Sequence, residues 1–308
     1  SVMYGAIKSA GYNEQFAIGT ITTSGTLGIL IPPSVVFIVY GVSADQSIGK
    51  LFMAGVIPGL MIGGMMMLAT YILAKRSGFK AEKMASLSEI FKAFKDSFCA
   101  LLIIFVVIGG IYGGIFTPTE AGAVSVMYAF FISFFVYKDI KLKDLYKITL
   151  DSAQTSSMIF FIIANAMIFA HLLTDEQIPQ QITQMIIDAN VSPLMFLLIV
   201  NILLLIMGQF MEPSSVVMIT VPLLLPIGMA LGIDPIHLGV IMVVNMEIGM
   251  LTPPVGLNLF VASGITGLSM GQVIKASIPM TLVLLFGLVL ITYIPAISLW
   301  LPNLMFGY

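Results

Sequence analysis

The sequence predicts an all-helical protein that crosses a membrane several times, and three observations predict it. Of its 308 residues 59% are hydrophobic and 9% charged, against roughly 25% charged in an ordinary soluble domain; mean hydropathy is +1.07. Apolar runs at 51–74, 97–116, 121–137, 156–173 and 280–300 each come close to the roughly 20 residues that cross about 30 Å of hydrocarbon. None alternates with a period of two, so they read as helices and not as barrel strands. The net charge of −2 identifies no partner, and a nucleic acid is not expected. A single cysteine, Cys99 within an apolar run, excludes an internal disulfide and reads as a small membrane-core residue. The chain opens SVMYGAIKSAGY, with neither an initiator methionine nor a basic segment leading an apolar core, so it is expected to begin inside a longer protein.

Taken in chain order, the first element is an apolar stretch that carries GILIPPS at 28–34. Two adjacent prolines remove a helix donor and push the preceding residue out of the helical region, so a broken helix is predicted there. The run 51–74 follows as a full span. Ten of the thirteen Lys and Arg residues fall in two groups, Lys75, Arg76, Lys80, Lys83, Lys92, Lys95 and then Lys138, Lys141, Lys143, Lys147. The positive-inside rule makes both groups cytoplasmic. Between them, 97–137 must leave and return, which gives two spans joined at TPTEAG, 117–122. Thr117 and Glu120 there read as a capping box. The connector 80–96, with Met84, Leu87, Ile90, Phe91 and Phe94 near helical spacing, reads either as a helix lying on the inner interface or as a basic linker.

The segment 148–173 crosses outward again, and 174–190 carries Asp175, Glu176 and Asp188 without Lys or Arg, as an external loop or surface helix would. Two shorter apolar stretches, 194–210 and 216–231, flank Glu212-Pro213-Ser214-Ser215. They predict a re-entrant hairpin with its tip at 212–215, Ser214 and Ser215 capping the second arm. A carboxylate at such a tip is a functional candidate, or is satisfied locally by the N–H groups that follow. A second double proline, GMLTPPV at 249–255, precedes the last apolar run, 280–300.

The two double prolines belong to an internal repeat. With a constant offset of 221, residues 11–58 overlie 232–279: Gly11 meets Gly232, Gly28 meets Gly249, Pro32 and Pro33 meet Pro253 and Pro254, Pro58 meets Pro279, and Ser24 meets Asn245. Gly and Pro dominate the matches, and these residues fix backbone geometry. Paired interrupted helices in repeated halves point to a secondary transporter with its site between the breaks.

A broken helix frees carbonyls that hydrocarbon cannot satisfy, and it opposes a partly negative helix end to a partly positive one. One break can therefore hold a cation and an anion's oxygens. Thr22, Thr23, Ser24 and Thr26 gather at the first break, and Asn245, Glu247, Thr252 and Asn258 around the second. Neutral oxygen donors suit Na⁺; the plainer reading is that the hydroxyls bond back to their own helices.

With these residues in view, SGTLGILIPPS (24–34), FTPTEAGA (116–123), GQFMEPSSVV (208–217), NMEIGMLTPPVGLNLFVASGI (245–265) and YIPAISLWLP (293–302) closely resemble the large membrane subunit of tripartite ATP-independent periplasmic (TRAP) transporters, across essentially the whole chain. The resemblance implies an ion-transporter-type fold with inverted repeats, in which a scaffold carries a mobile transport domain of hairpins and unwound helices. It implies a bacterial inner-membrane location, Na⁺ as coupling ion, an elevator mechanism, a small membrane subunit and a periplasmic substrate-binding protein as partners, and a small organic acid as substrate. GQFMEPSSVV, NMEIGM and YIPAISL look most like C4-dicarboxylate members; sialic acid or another sugar or keto acid is the alternative. The implied division is 1–46 and 194–267 as transport-domain parts, 47–193 as scaffold and arm helices with cytoplasmic loops 75–96 and 138–147, and 268–308 as a C-terminal scaffold helix.

Carried over by position, Ser24, Gly25, Gly28, Pro32 and Pro33 would hold one Na⁺. Asn245, Glu247, Gly249, Thr252 and Pro253, facing Glu212 and Pro213, would hold another. Ser34, Ser214, Ser215, Pro254, Gly256 and Asn258 would touch substrate. The resemblance implies that the family's amino-terminal helices and first hairpin would precede these residues, so the first Na⁺ site is expected to be incomplete within them. No Arg lies in the broken segments, so a substrate carboxylate would rest on helix N-termini and hydroxyls.

The remaining polar residues carry less. His171 and His237 read as interfacial, Asp151 as near the inner interface, and Asn165 as a bond to a neighbouring helix. No nucleophile elbow, phosphate loop or metal-protease motif is present, so an enzyme is not expected. An intramembrane enzyme would have only Glu212 with Glu247, and a channel would need a carbonyl- or charge-lined open pore, which paired breaks fit less well.

Overall fold

A computed structural model describes residues 2–9, 11–79 and 85–307. Among them every regular element is helical: α1 Val2–Ser9, α2 Glu14–Ser24, α3 Val35–Ala44, α4 Ile48–Arg76, α5 Leu87–Tyr112, α6 Pro118–Phe131, α7 Leu142–Asp175, α8 Ile178–Asp188, α9 Pro193–Gly208, α10 Pro213–Ala230, α11 Pro235–Gly249, α12 Leu257–Thr266, α13 Met270–Tyr293 and α14 Ala296–Phe306. A 3-10 turn, Gly25–Ile29, follows α2, and a π turn, Ile132–Val136, extends α6. Six helical stretches, α4, α5, α6 with its π turn, α7, α10 and α13, are long and apolar enough to cross a membrane. The protein is a polytopic membrane protein.

Packing divides the chain into two units, 1–81 with 166–308, and 82–165. In the smaller unit α5 packs on α6, and Tyr128 and Tyr137 donate to the carbonyls of Cys99 and Asp96 at 2.8 and 3.0 Å. Each of these helices starts on a reciprocal cap: Ser86 with Glu89, and Thr117 with Glu120. That box satisfies two otherwise orphaned donors, and at 117–120 it is the one expected from the sequence. Phe98, Phe105, Val126 and Met127 are exposed, as side chains against lipid are.

Several boundaries differ from expectation. Residues 87–96 are the first turns of α5 and not a separate interfacial helix, because the Ser86 cap opens one continuous apolar helix; Lys80, Lys83 and Met84 lie outside the described residues. The last run is two helices, since Ile294, held at φ −124° and ψ 81° ahead of Pro295, ends α13 before α14 begins. A residue before proline leaves the helical region. Segment 174–190 does form a short helix, α8.

In the larger unit the copies of the repeat become visible as elements. Adding 221 carries α2 into α11, α3 onto α12 and α4 onto α13, to within a residue at their starts, and α1 into the second half of α10. Four kinds of packing then occur twice: α2 on α13 and α11 on α4, α2 on α12 and α11 on α3, α3 on α4 and α12 on α13, α2 on α4 and α11 on α13. The core sits between the copies. Ile18 is buried with Leu259, Ala262 and Val273, and in the exchanged position Gly239 meets the ring of Tyr40, where an added Cβ would lie 2.5 Å from ring carbon Cε1. Tyr40 also donates to the Pro235 carbonyl at 2.5 Å.

Candidate functional site

Both broken helices are present where the double prolines stand. Helix α2 gives way to the 3-10 turn at Gly25, residues 31–34 are non-helical, and α3 starts under Ser34, which accepts from Phe37 N at 3.4 Å and donates to the Ile29 carbonyl. In the second copy α11 ends at Gly249, residues 250–256 turn, and α12 follows Gly256, held at φ 58°. The Pro32–Pro33 and Pro253–Pro254 bonds are both cis. Some of the polar groups close on their own backbone: Thr23 and Ser24 donate to the carbonyls of Gly19 and Thr20, each at 2.7 Å, and Thr252 to that of Ile248 at 2.8 Å. Such back-bonds satisfy the hydroxyl proton and leave the oxygen's lone pairs.

The two breaks meet where Thr26 faces Glu247. Thr26 Oγ1 donates to Glu247 Oε1 at 3.0 Å, and both residues are wholly buried. The residues are 221 positions apart, so each is the other's equivalent under the repeat. The hydroxyl has one proton but two acceptors, because Thr23 O stands 2.7 Å away as well. The other carboxylate oxygen, Oε2, has no partner. An unpartnered carboxylate oxygen away from water is costly unless a donor or cation reaches it.

Asn245 lies two residues from Glu247, about 200° around the helix, and faces another way. Its Nδ2 donates to Asn201 Oδ1 on α9 at 2.7 Å and to Ile241 O at 2.8 Å. Its Oδ1 is buried without a partner. Its equivalent, Ser24, is exposed, and an apolar groove of about 690 Å³ runs past Ser24 between α2 and α4.

The hairpin tip docks on the second break. Gly208, the last residue of α9, approaches Gly249 so closely that a Cβ on Gly249 would stand 2.7 Å from the Gly208 Cα and carbonyl carbon. Gly256 N donates to Gln209 O at 3.2 Å, and Asn258 N to Met250 O at 3.1 Å. Glu212 itself caps α10, with Oε2 accepting from Ser215 N at 3.0 Å and from Ser215 Oγ at 3.2 Å. The cap is therefore Glu212 and not the serines, because Pro213 occupies the first helical position and carries the chain past the carboxylate. Ser214 is buried behind it. A cavity of about 180 Å³ brings Gly25 of the first break beside Asn258 of the second, with Thr22, whose buried hydroxyl oxygen has no partner.

Other positions are placed as follows. Pro32 is buried, while Pro33, Pro253, Pro254 and Gly28 are exposed. His237 is 2% exposed and its Nε2 lies 3.3 Å from Thr292 O; it is a core residue and not an interfacial one, since the start of α11 is packed inside the unit. Asn165 donates to Phe161 O on its own helix at 2.7 Å, where a bond to a neighbour was expected. His171 pairs with Asp175 at 3.4 Å on an exposed surface. Sequence reasoning did not select Asn201 or Thr292, and it named Thr26 among the polar residues of the first break without placing it in a site. Asn201 carried a usable signal as a lone amide in NILLLIMG, and Thr26 as the repeat equivalent of Glu247.

Glu247 Oε2, Asn245 Oδ1 and Thr22 Oγ1 are each buried and unpartnered oxygen donors, of the kind that suits a hard cation better than a soft metal. Among the described residues no group of three or more His, Cys, Asp or Glu gathers at ligand spacing. Fold and site define the class: a helical membrane protein with two apposed helix breaks and a buried polar centre between them, the architecture of a carrier. The family description "Tripartite ATP-independent periplasmic transporter, DctM component" matches residues 1–297. The C4-dicarboxylate TRAP transporter large permease protein DctM of Pseudomonas aeruginosa is 50% identical over 303 residues, covering 98% of this chain and 71% of that protein. Its namesake from Rhodobacter capsulatus is 50% identical over 319 residues, covering 99% and 72%. The sialic acid TRAP transporter large permease protein SiaM of Vibrio cholerae is 37% identical over 303 residues, covering 98% and 71%. The chain belongs to the DctM family of TRAP transporter large permeases. It is a multi-pass inner-membrane transport protein and not an enzyme.

Proposed function

We propose that this permease takes up a small organic acid, a C4-dicarboxylate by preference, in symport with Na⁺. The single observation that carries the Na⁺ reading is the wholly buried Glu247 carboxylate: Oε1 is held by Thr26 of the other break, and Oε2 has no protein partner. A cation beside Oε2 would neutralise a charge that the interior otherwise disfavours. Glu247, Gly249, Thr252, Pro253 and Asn245, with Glu212 and Pro213 at the hairpin tip, would form the second-copy cation region. Ser24, Gly25, Gly28, Pro32 and Pro33 would form the first.

Substrate lies between the breaks, on Ser34, Ser214, Ser215, Pro254, Gly256 and Asn258. The starts of α3 and α12 bring partly positive N-termini to a carboxylate without an arginine. The doubled packing between copies supports two repeats related by a two-fold axis that passes near Thr26 and Glu247. In that reading 1–46 and 194–267 move as the transport domain of an elevator, against scaffold from 47–193 and 268–308. A small membrane subunit and a periplasmic binding protein complete the transporter, and the substrate named for the two half-identical relatives favours a C4-dicarboxylate over sialic acid.

The test is uptake into proteoliposomes containing the full-length permease with its small subunit, with binding protein outside and an inward Na⁺ gradient. Labelled succinate should accumulate and labelled sialic acid should not. Uptake indifferent to Na⁺ or to the binding protein would overturn the reading, and accumulation of sialic acid alone would move the substrate to the sugar acids.

A further inference from the structure

Behind the second break lies a buried polar chain of three helices. Thr292 on α13, Asn201 on α9 and Asn245 on α11 are 0%, 6% and 0% exposed. Asn201 Nδ2 donates to Thr292 Oγ1 at 3.0 Å, and Asn201 Oδ1 accepts from Asn245 Nδ2 at 2.7 Å. The second proton of that Nδ2 goes to Ile241 O at 2.8 Å. The chain ends on Asn245 Oδ1, which is buried with no partner.

The direction of this chain is fixed by its donors and acceptors. Rotating the Asn245 amide by half a turn would set its oxygen against two other oxygens, Asn201 Oδ1 and Ile241 O, and lose both hydrogen bonds. With Asn245 held by the Ile241 carbonyl, Asn201 must offer Oδ1 to it, and its Nδ2 then donates to the Thr292 hydroxyl, which can give or take a hydrogen bond and here accepts. A bare packing contact between helices needs no such polarity and would not leave a carbonyl oxygen dry at its end. The first copy lacks the device among the described residues, because Ser24, which stands where Asn245 does, donates to Thr20 O and is exposed.

We propose that Asn201 is a positioning residue for the cation region. Together with the Ile241 carbonyl it holds the Asn245 amide in one orientation and so presents Oδ1 as an oxygen ligand for Na⁺, while the Thr292 hydroxyl anchors Asn201 by accepting from its Nδ2. This rests on the Na⁺ reading above. It also ties the hairpin arm α9 to the occupancy of α11, since the residue that orients the ligand comes from the hairpin.

The test is thermal unfolding of the purified complex, full-length permease with its small subunit, titrated with NaCl against choline chloride at constant ionic strength. Wild type should be stabilised by Na⁺ with a saturable dependence. Asn201→Leu should raise the half-stabilising Na⁺ concentration about ten-fold, or about 1.4 kcal/mol, and Thr292→Val, which is close to isosteric, should raise it by a smaller factor of about three. Asn245→Ala sets the full loss, and adding Asn201→Leu to it should do nothing more. If Asn201→Leu and Thr292→Val lower the melting temperature in choline but leave the half-stabilising Na⁺ within about twofold of wild type, less than about half a kcal/mol, the proposal is overturned and the chain is structural. Should Asn201→Leu fail to assemble, Thr292→Val decides by the same criterion. If wild type shows no stabilisation by Na⁺, the underlying reading falls and takes this proposal with it; if wild type responds and the variants respond identically, only the positioning role falls.

Discussion

Gly249→Ala and Gly28→Ala make the same chemical change at equivalent positions of the repeat, and the structure assigns them different costs. A Cβ on Gly249 would stand 2.7 Å from both the Cα and the carbonyl carbon of Gly208, and 2.9 Å from its oxygen, against an optimal carbon separation of about 3.5–4.0 Å. The obstacle is backbone on a neighbouring helix, so no side-chain rotation relieves it, and α9 and α11 must part by about 1 Å. That movement stretches the Asn201–Asn245 bond of 2.7 Å and the Gly256–Gln209 bond of 3.2 Å. Overpacking of this kind costs about 1–3 kcal/mol, and weakening one buried hydrogen bond adds about 1, for a total of about 2–4 kcal/mol. Gly28, by contrast, has no atom within 4 Å of an added Cβ, so Ala there should change stability by no more than about 0.5 kcal/mol. Gly208→Ala, which would meet the Gly249 Cα at 3.2 Å, should fall between them. Melting temperatures of the purified complex, with uptake rates beside them, rank the three. A Gly249→Ala protein as stable and active as Gly28→Ala would refute the backbone crossing as the element that seats the hairpin tip on the second break.

Three further substitutions separate the contributions of single contacts. Thr26→Val keeps the side chain's shape but removes the hydroxyl that donates to Glu247; with the carboxylate charged the loss is about 1.5–3 kcal/mol, whereas Thr23→Val, which removes only bonds back to its own helix, should stay close to wild type in thermal unfolding. Thr117→Ala takes away the reciprocal cap of α6 and should lower stability by about 1 kcal/mol, with Na⁺ dependence of uptake unchanged. Tyr40→Phe loses the bond to the Pro235 carbonyl at a cost of about 1 kcal/mol, read as a lower melting temperature with wild-type substrate selectivity.

The helix breaks and the cap of α6 were legible in the sequence because their residues act on their own backbone. Pro32 with Pro33 and Pro253 with Pro254 end a helix whatever packs around them, and Thr117 with Glu120 make a local box. The alignment by 221 residues named Gly249 without revealing why it is a glycine; the reason, Gly208, lies 41 positions away in sequence and beside it in space. Partner choice was the illegible part. Asn245 and Glu247 stand two residues apart in the sequence, which does not show that their hydrogen bonds go to different elements, Asn201 on α9 and Thr26 in the first break respectively. His237 read as interfacial because it stands near the start of an apolar span, yet it is buried, with the Thr292 carbonyl of α13 3.3 Å from its ring. Glu212 offered two readings, and the structure uses one carboxylate oxygen for the local one by capping α10. The split between α13 and α14 was carried by Pro295, inside a run whose hydropathy alone reads as continuous.

The central claim is that the buried Glu247 carboxylate, held across the breaks by Thr26, forms part of a Na⁺ site. Binding of radiolabelled sodium to the purified complex, compared between wild type and Glu247→Gln, tests it most directly, because Gln keeps the size and the acceptor for Thr26 while removing the charge. The account predicts saturable binding in wild type and an affinity at least about ten-fold weaker in the variant, about 1.4 kcal/mol, in a protein that remains assembled. Equal sodium affinity and stoichiometry in the two proteins would contradict it.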